Sequence, residues 1–199
     1  TAGNLVFQGT SAGQLEAYSA DKGQLLWQFD AQTGVIAAPM TYLHNGEQYV
    51  ALMAGWGGSG ALIGGDAAVA TGVRNVSRML VFKLGANQQL PTLAAVPGSG
   101  RTPEPVVAAA TDLTAGETLY SQYCAVCHGV GVVGGGVLPD LRHSSDAVRE
   151  AWDAIVLHGA YQTNGMAAFG DSLNSEEANQ IRLYIMQREY DSWIKEAKK

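Results

Sequence analysis

Between Asn4 and Lys83 apolar and polar positions alternate in short runs. "NLVFQGT", "QLEAYSA" and "QLLWQFDA" each read as one strand, with the turn residues "SAG" and "DKG" between them. "MTYLHNGEQYVALMAG" reads as a hairpin, because its Asn45-Gly46 pair suits the positive φ angles of a tight turn. The glycine-rich "GWGGSGALIGGD" then separates it from one more strand, "RMLVFKL". Strands of this length and spacing predict an all-β unit built as a sandwich, barrel or propeller.

The pattern breaks at "PTLAAVPGSGRTPEPVVAAATD". Four of the six prolines lie between Pro91 and Pro105, which predicts a semi-extended linker. From Thr114 the period becomes helical. "TAGETLYSQYC" opens with Thr114 and Glu117 in capping-box spacing. "SSDAVREAWDAIVLHG" offers Ser144 or Ser145 as a start and Gly159 as a stop. "NSEEANQIRLYIMQREY" repeats the box with Asn174 and Glu177, and its Ala178, Ile181, Tyr184 and Ile185 form one apolar stripe. The expected organisation is an all-β part over residues 1–90, a proline-rich linker over 91–111 and a small all-α domain over 112–199. A domain that small has a thin core, so a bound group that adds apolar volume would help it fold.

Charge narrows the function. With a net charge of −6 and only 15% charged residues, the chain has no basic stripe to neutralise phosphates, which argues against nucleic-acid binding. The basic tail "KEAKK" reads as a solvated helix end. No apolar run approaches the roughly 20 residues that cross a bilayer. "TAGNLVFQGT" lacks an initiator Met and the n- and h-regions of a signal peptide, and reads as the middle of a strand pattern. The expectation is a C-terminal piece, or a processed product, of a longer chain.

The chemistry concentrates in "SQYCAVCHGVG". It holds both cysteines of the chain, Cys124 and Cys127, with His128 directly after the second. A thioredoxin-like pair wants a βαβ setting, whereas here a helix leads in. A structural zinc site wants four ligands, and His44, His143 and His158 show no ligand spacing. The third reading is covalent c-type haem, of which C-x-x-C-H is the signature. Two thiols about one helical turn apart can add across the two vinyl groups on one porphyrin edge. The next residue then turns its imidazole under the ring. Cys124 and Cys127 become the thioether anchors and His128 the iron ligand.

A thioether as sixth ligand would raise the potential and close the site to small ligands. Met40, Met53 and Met79 fall in the β half, and Met186 sits beside the apolar stripe, where packing is the expected role. Met166, in the loop "YQTNGMAAFGD", is the candidate ligand, set against ordinary burial. "GVGVVG" fits the dinucleotide pattern but follows no strand and opens no helix, so it is read as a flexible loop at the haem edge.

Gly116 and Tyr120 on the first helix, against Ile181 and Tyr184 on the last, resemble the crossing of terminal helices in class I cytochromes c. "LPDL" is similar to the segment of that family whose proline carbonyl accepts the Nδ1–H of the proximal histidine. The resemblance implies that Pro139 orients His128. Ala167 stands after Met166 where that family often has proline.

In the β half, "AYSADKGQLLW" resembles the tryptophan-docking motif of propeller quinoproteins, with Ser19 and Lys22 in place of the usual Asp and Thr. "GVIAAPMTYLHNGEQYVALMAGWGG" is similar to the last blade of type II quinohaemoprotein alcohol dehydrogenases, and "RMLVFKL" to the strand that leads out of it. The resemblance implies a multidomain chain: the last blades of a β-propeller followed by a class I cytochrome c domain. It further implies haem c, pyrroloquinoline quinone (PQQ) and Ca²⁺ in the whole enzyme. An alcohol would be the substrate, and the remainder of the propeller a partner. The electron acceptor would be a blue copper protein, another cytochrome or a membrane quinone. The location would be the bacterial periplasm, with a signal peptide upstream of Thr1. No catalytic base or Ca²⁺ ligand matches any position here. Trp56 would lie near the quinone, or else its glycine loop is purely structural. The alternatives are a non-catalytic c-type electron carrier with a β docking module, and a PQQ-dependent sugar or aldehyde dehydrogenase.

Overall fold

The computed structural model describes residues 1, 3–57, 72–94 and 101–198. Most of the glycine-rich segment after Trp56 therefore lies outside the described residues. The chain divides into two compact units, a β unit from its first half and an α unit from its second. Among the described residues no helix is long and apolar enough to cross a membrane.

All the strand-like runs form strands. β1 (Leu5–Gly9), β2 (Gln14–Ser19) and β3 (Leu25–Asp30) make one antiparallel sheet. β4 (Met40–His44), β5 (Glu47–Ala54) and β6 (Arg78–Lys83) make a second. Asn45 (φ 51°) and Gly46 (φ 78°) turn β4 into β5, so the local turn chemistry and the register agree. Leu15, Ala31, Val35, Leu52, Ala54 and Leu80 form one core. Val35 bridges Gly55, and Thr33 accepts from the Val76 N–H at 3.0 Å, which satisfies a hydroxyl that has no access to solvent.

Residues directly opposite in a sheet share a face. Leu52 and Leu80 therefore point into that core together. On the reverse face, Met40 pairs with Ala51, Ala51 with Val81, Met53 with Met79, and Tyr42 with Tyr49. Met40, Met53 and Met79 are each more than half exposed. A sheet apolar on both faces is the pattern of a sheet stacked between others, as in a propeller. Trp27, in the docking-like segment, stacks on Phe29 and meets Phe82 edge-on at 5.3 Å, yet keeps 39% of its surface exposed.

In the α unit the helices depart from their expected ends. α1 (Ala110–Tyr123) starts four residues before Thr114, without a side-chain cap. Thr114 instead turns its hydroxyl back to the Ala110 carbonyl at 3.0 Å. The expected capping box there is not formed, because the preceding alanines already propagate the helix. After α2 (Ala125–His128), the run starting at Ser145 is split into α3 (Asp146–Glu150) and α4 (Trp152–Val156). Ala151, at ψ 14°, is the break. α5 (Ser175–Ala197) begins with the expected reciprocal cap, Asn174 with Glu177, at 3.0 and 2.9 Å.

α1 and α5 pack face to face. A Cβ at Gly116 would overlap the Gln180 carbonyl oxygen, so glycine alone allows this approach. Tyr120 and Tyr184 lie 5.5 Å apart across the crossing, and the Trp152 indole donates to the Ala178 carbonyl at 2.9 Å. Around them gather Val132, Val156, Leu173, Ile181 and Ile185.

A second device ties the proline-rich stretch to this unit. Glu189 of α5, 5% exposed, accepts from Arg149 at 2.7 Å and from Arg101 at 2.8 and 2.6 Å. Pro103 is buried. One carboxylate thus serves two guanidinium groups, and the part of the stretch from Arg101 onward is held by the α unit.

Candidate haem-attachment site

α1 delivers the cysteines. Its last turn runs on through Cys124, whose N–H reaches the Tyr120 carbonyl at 2.8 Å, and the chain kinks there (φ −116°) into α2. Cys127 and His128 both hydrogen-bond back to the Cys124 carbonyl, at 3.1 and 2.9 Å. The two thiols and the imidazole therefore share one helical turn. Both cysteines are free; Cys124 is half-buried and Cys127 exposed.

Burial, reinforced by Cys127, pushes the Cys124 thiol up to about 12. A redox dithiol works through a thiolate with a lowered pKa. Cys124 has the opposite setting. Among the described residues no group of three or more His, Cys, Asp or Glu side chains gathers to hold a metal ion, so the zinc reading lacks its ligand set.

His128 Nδ1 lies 2.9 Å from the Pro139 carbonyl oxygen. A carbonyl only accepts, so this nitrogen carries the proton, and in the neutral ring Nε2 is the nitrogen with a lone pair for a metal. Two unpaired thiols beside an imidazole in this tautomer are the donor set that a covalent haem requires, and the residues fit the group.

The segment after His128 is not the flexible loop its glycines suggest. Val132 and Val133 are buried, and a Cβ at Gly129 would collide with the Val133 carbonyl. Gly131 and Val132 both adopt positive φ, 64° and 66°. Three side chains hold the turn. The buried Tyr120 hydroxyl donates to the Gly129 carbonyl at 2.8 Å, Arg188 Nε to the Gly131 carbonyl at 3.0 Å, and the Gly134 N–H to Asp140 at 3.1 Å. Burial pushes the Tyr120 hydroxyl well above the ordinary tyrosine range, so it stays a donor.

Asp140 follows Pro139 directly and caps the 3-10 turn Leu141–His143. Burial alone would raise its pKa, but two bonds from the Arg142 side chain, at 3.0 and 2.6 Å, hold it below the usual range. A carboxylate depressed on folding contributes stability that is complete above its unfolded pKa of about 4 and is lost as pH falls through the lower folded value. Asp140→Asn should therefore destabilise the protein near neutral pH. Acid unfolding curves of variant and wild type should start to approach each other below about pH 4 and meet only below the lower folded value. A constant gap down to the lowest pH would contradict this role.

Met166 belongs to the loop between α4 and α5. Phe169 and Gly170 tie that loop to the end of α4 through the Val156 and Leu157 carbonyls, at 2.8 and 3.1 Å. Met166 and Cys124 are both partly buried against the same core. Met186 lines a small cavity with Trp152 and Ile185, a packing position. In the β unit, Trp56 donates its N–H to Asn75 Oδ1 at 3.0 Å, and its ring lies against Gly34.

Two family models match: "Glucose/ethanol/alcohol dehydrogenase, beta-propeller domain" over residues 1–50, and "Cytochrome C oxidase, cbb3-type, subunit III" over residues 111–185. The quinohemoprotein alcohol dehydrogenase ADH IIB of Pseudomonas putida is 56% identical over 98% of this chain, which spans 28% of that protein. The 1-butanol dehydrogenase (cytochrome c) of Thauera butanivorans is 35% identical over 94% of this chain and 26% of its own length. Among solved structures, quinohemoprotein alcohol dehydrogenase ADHIIG from Pseudomonas putida matches with a TM-score of 0.84 and 39% identity, over 98% of this chain and 29% of that one. The enzyme from Comamonas testosteroni matches with a TM-score of 0.74 and 33% identity, over 96% and 27%. The chain thus spans little more than a quarter of the relatives it matches. A partial propeller followed by a helical unit, the chain is homologous almost end to end with the cytochrome-bearing C-terminal region of quinohaemoprotein, PQQ-dependent alcohol dehydrogenases.

Proposed function

We propose that this chain is the haem c end of a PQQ-dependent alcohol dehydrogenase and passes electrons singly from the reduced quinone to an external acceptor. Residues 1–90 act as the closing blades of the propeller, 91–111 as the connection and 112–199 as the cytochrome c domain. The observation that carries the reading is the Nδ1–H of His128 directed at the Pro139 carbonyl, one turn from two free thiols.

Cys124 and Cys127 would hold the porphyrin through thioethers, His128 would give Nε2 to the iron and Met166 its sulfur. A haem iron cycles by single electrons, the chemistry needed after a two-electron alcohol oxidation. The chain's own groups do the rest. Pro139 fixes the imidazole tautomer. Tyr120, Arg188 and Asp140 hold the turn beyond it, while Val132, Val133 and Ile181 keep water from its inner side. PQQ, Ca²⁺ and the alcohol belong to the whole enzyme, with Trp56 on the quinone side. The exposed face of Met40, Met53 and Met79 is where the remainder of the propeller would stack. A blue copper protein, a cytochrome or a membrane quinone would accept the electrons. Haem attachment of this type implies a periplasmic site.

Protein matured in a haem-loading host should gain the mass of one haem, and Cys124→Ser with Cys127→Ser should lose it. The reduced spectrum should show a c-type α band, and the oxidised one a weak near-infrared methionine–iron band. Met166→Ala should abolish that last band, and Met186→Ala should keep it. The bare polypeptide mass in the wild type would overturn the proposal.

A further inference from the structure

We propose that Arg188 is a positioning residue for His128, acting through the turn Gly129–Gly134; this rests on the haem reading above. Gly131 and Val132 stand consecutively in the left-handed region, at φ 64° and 66°. For a β-branched residue this conformation is strained, and it persists only where surrounding contacts over-determine it. Val132 has no exposed surface, so burial supplies part of that constraint. The carbonyl between the two residues is the rest, because the orientation of that peptide sets ψ of Gly131 and φ of Val132. Arg188 Nε donates to that carbonyl at 3.0 Å, from the middle of the longest helix.

The turn begins one residue after His128, and its far end is fixed by the Gly134 N–H on Asp140. Asp140 is braced by Arg142, which reaches Ser192 of α5 at 2.8 Å. The middle and the far end of the turn are therefore referred to one face of α5, four residues apart from Arg188 to Ser192, about one helical turn, while Tyr120 of α1 holds its start. Pro139, the acceptor for the imidazole, is adjacent to Asp140. Removing the Arg188 bond frees the Gly131 peptide to leave its strained state, and the residue next to His128 moves with it. The imidazole then loses its fixed approach, although no ligand atom has been altered.

The test uses the 199-residue chain matured with haem and compares Arg188→Leu, Arg188→Gln and Arg188→Lys. Lys195→Leu, which removes the same charge from an exposed position of α5, is the control. Loss of an outer-shell partner lowers metal affinity on the order of tenfold, which here reads as a rise of about one pH unit in the acid midpoint for losing the imidazole from iron. That rise is expected for Arg188→Leu and Arg188→Gln, with partial recovery in Arg188→Lys, which keeps a donor. If Arg188→Leu fails to hold haem, the Gln and Lys variants carry the comparison. An acid midpoint and haem potential equal to the control, with only thermal stability lowered, would overturn the proposal and leave haem attachment intact. Wild-type protein without covalent haem would instead overturn the reading beneath it.

Discussion

Glu189→Ala is expected to lower the stability of the α unit by about 3–5 kcal/mol, as found when one partner of a buried ion pair is removed. The carboxylate side chain is 6% exposed, and those of Arg149 and Arg101 are 11% and 30% exposed. Without Glu189, the two guanidinium groups are left near each other, with the exposed Asp146, 3.7 Å from Arg101, as the remaining carboxylate beside them. The desolvation already suffered by Arg149 is then left uncompensated. Denaturant unfolding followed by far-UV circular dichroism measures the loss. The cause is separable from lost packing. Glu189→Ala with Arg149→Met removes the stranded charge and should be more stable than Glu189→Ala alone, a coupling that a simple cavity would not give. Equal stabilities would show that charge is not the reason.

Gly116→Ala is the second. On an isolated helix this change stabilises by about 1 kcal/mol. Here the sign should reverse, because the new methyl overlaps the Gln180 carbonyl, a backbone atom that cannot swing aside. α1 and α5 must separate, and the Tyr120–Tyr184 contact at 5.5 Å opens with them. Gly116→Val should cost about 3 kcal/mol or more, the upper range for overpacking, with Gly116→Ala between it and the wild type. Thermal unfolding of the three proteins orders them. A stabilised Gly116→Ala would mean the helices can slide apart at little cost.

The strands were legible because period-two alternation and the Asn45-Gly46 turn are local, and local signals survive folding when the unit's core agrees with them. The Asn174–Glu177 cap was legible for the same reason. Thr114 misled because a capping motif says where a helix can start, not whether an earlier start is available. Ala109 and Ala110 supplied one. The break at Ala151 has no residue signature, since alanine is a good helix former. The residue that follows the break, Trp152, bonds to the Ala178 carbonyl of α5, a contact invisible in the local sequence. The turn after His128 shows the same limit more sharply. Its glycines and valines spell mobility, yet Tyr120, Arg188 and Asp140 reach it from up to 57 residues away. Likewise, nothing near Arg101 in sequence reveals that it meets Glu189. The ligand-type residues were visible as a motif, but what aims them was not.

The thioethers of Met40, Met53 and Met79 add a chemical vulnerability to the β unit, since each side chain is more than half open to solvent. Peroxide would convert such sulfurs to sulfoxides, and each would then carry a polar oxygen on a surface shaped for hydrocarbon. Slow oxidation on storage would thus alter this exposed face of the sheet before it reached the buried cores of either unit.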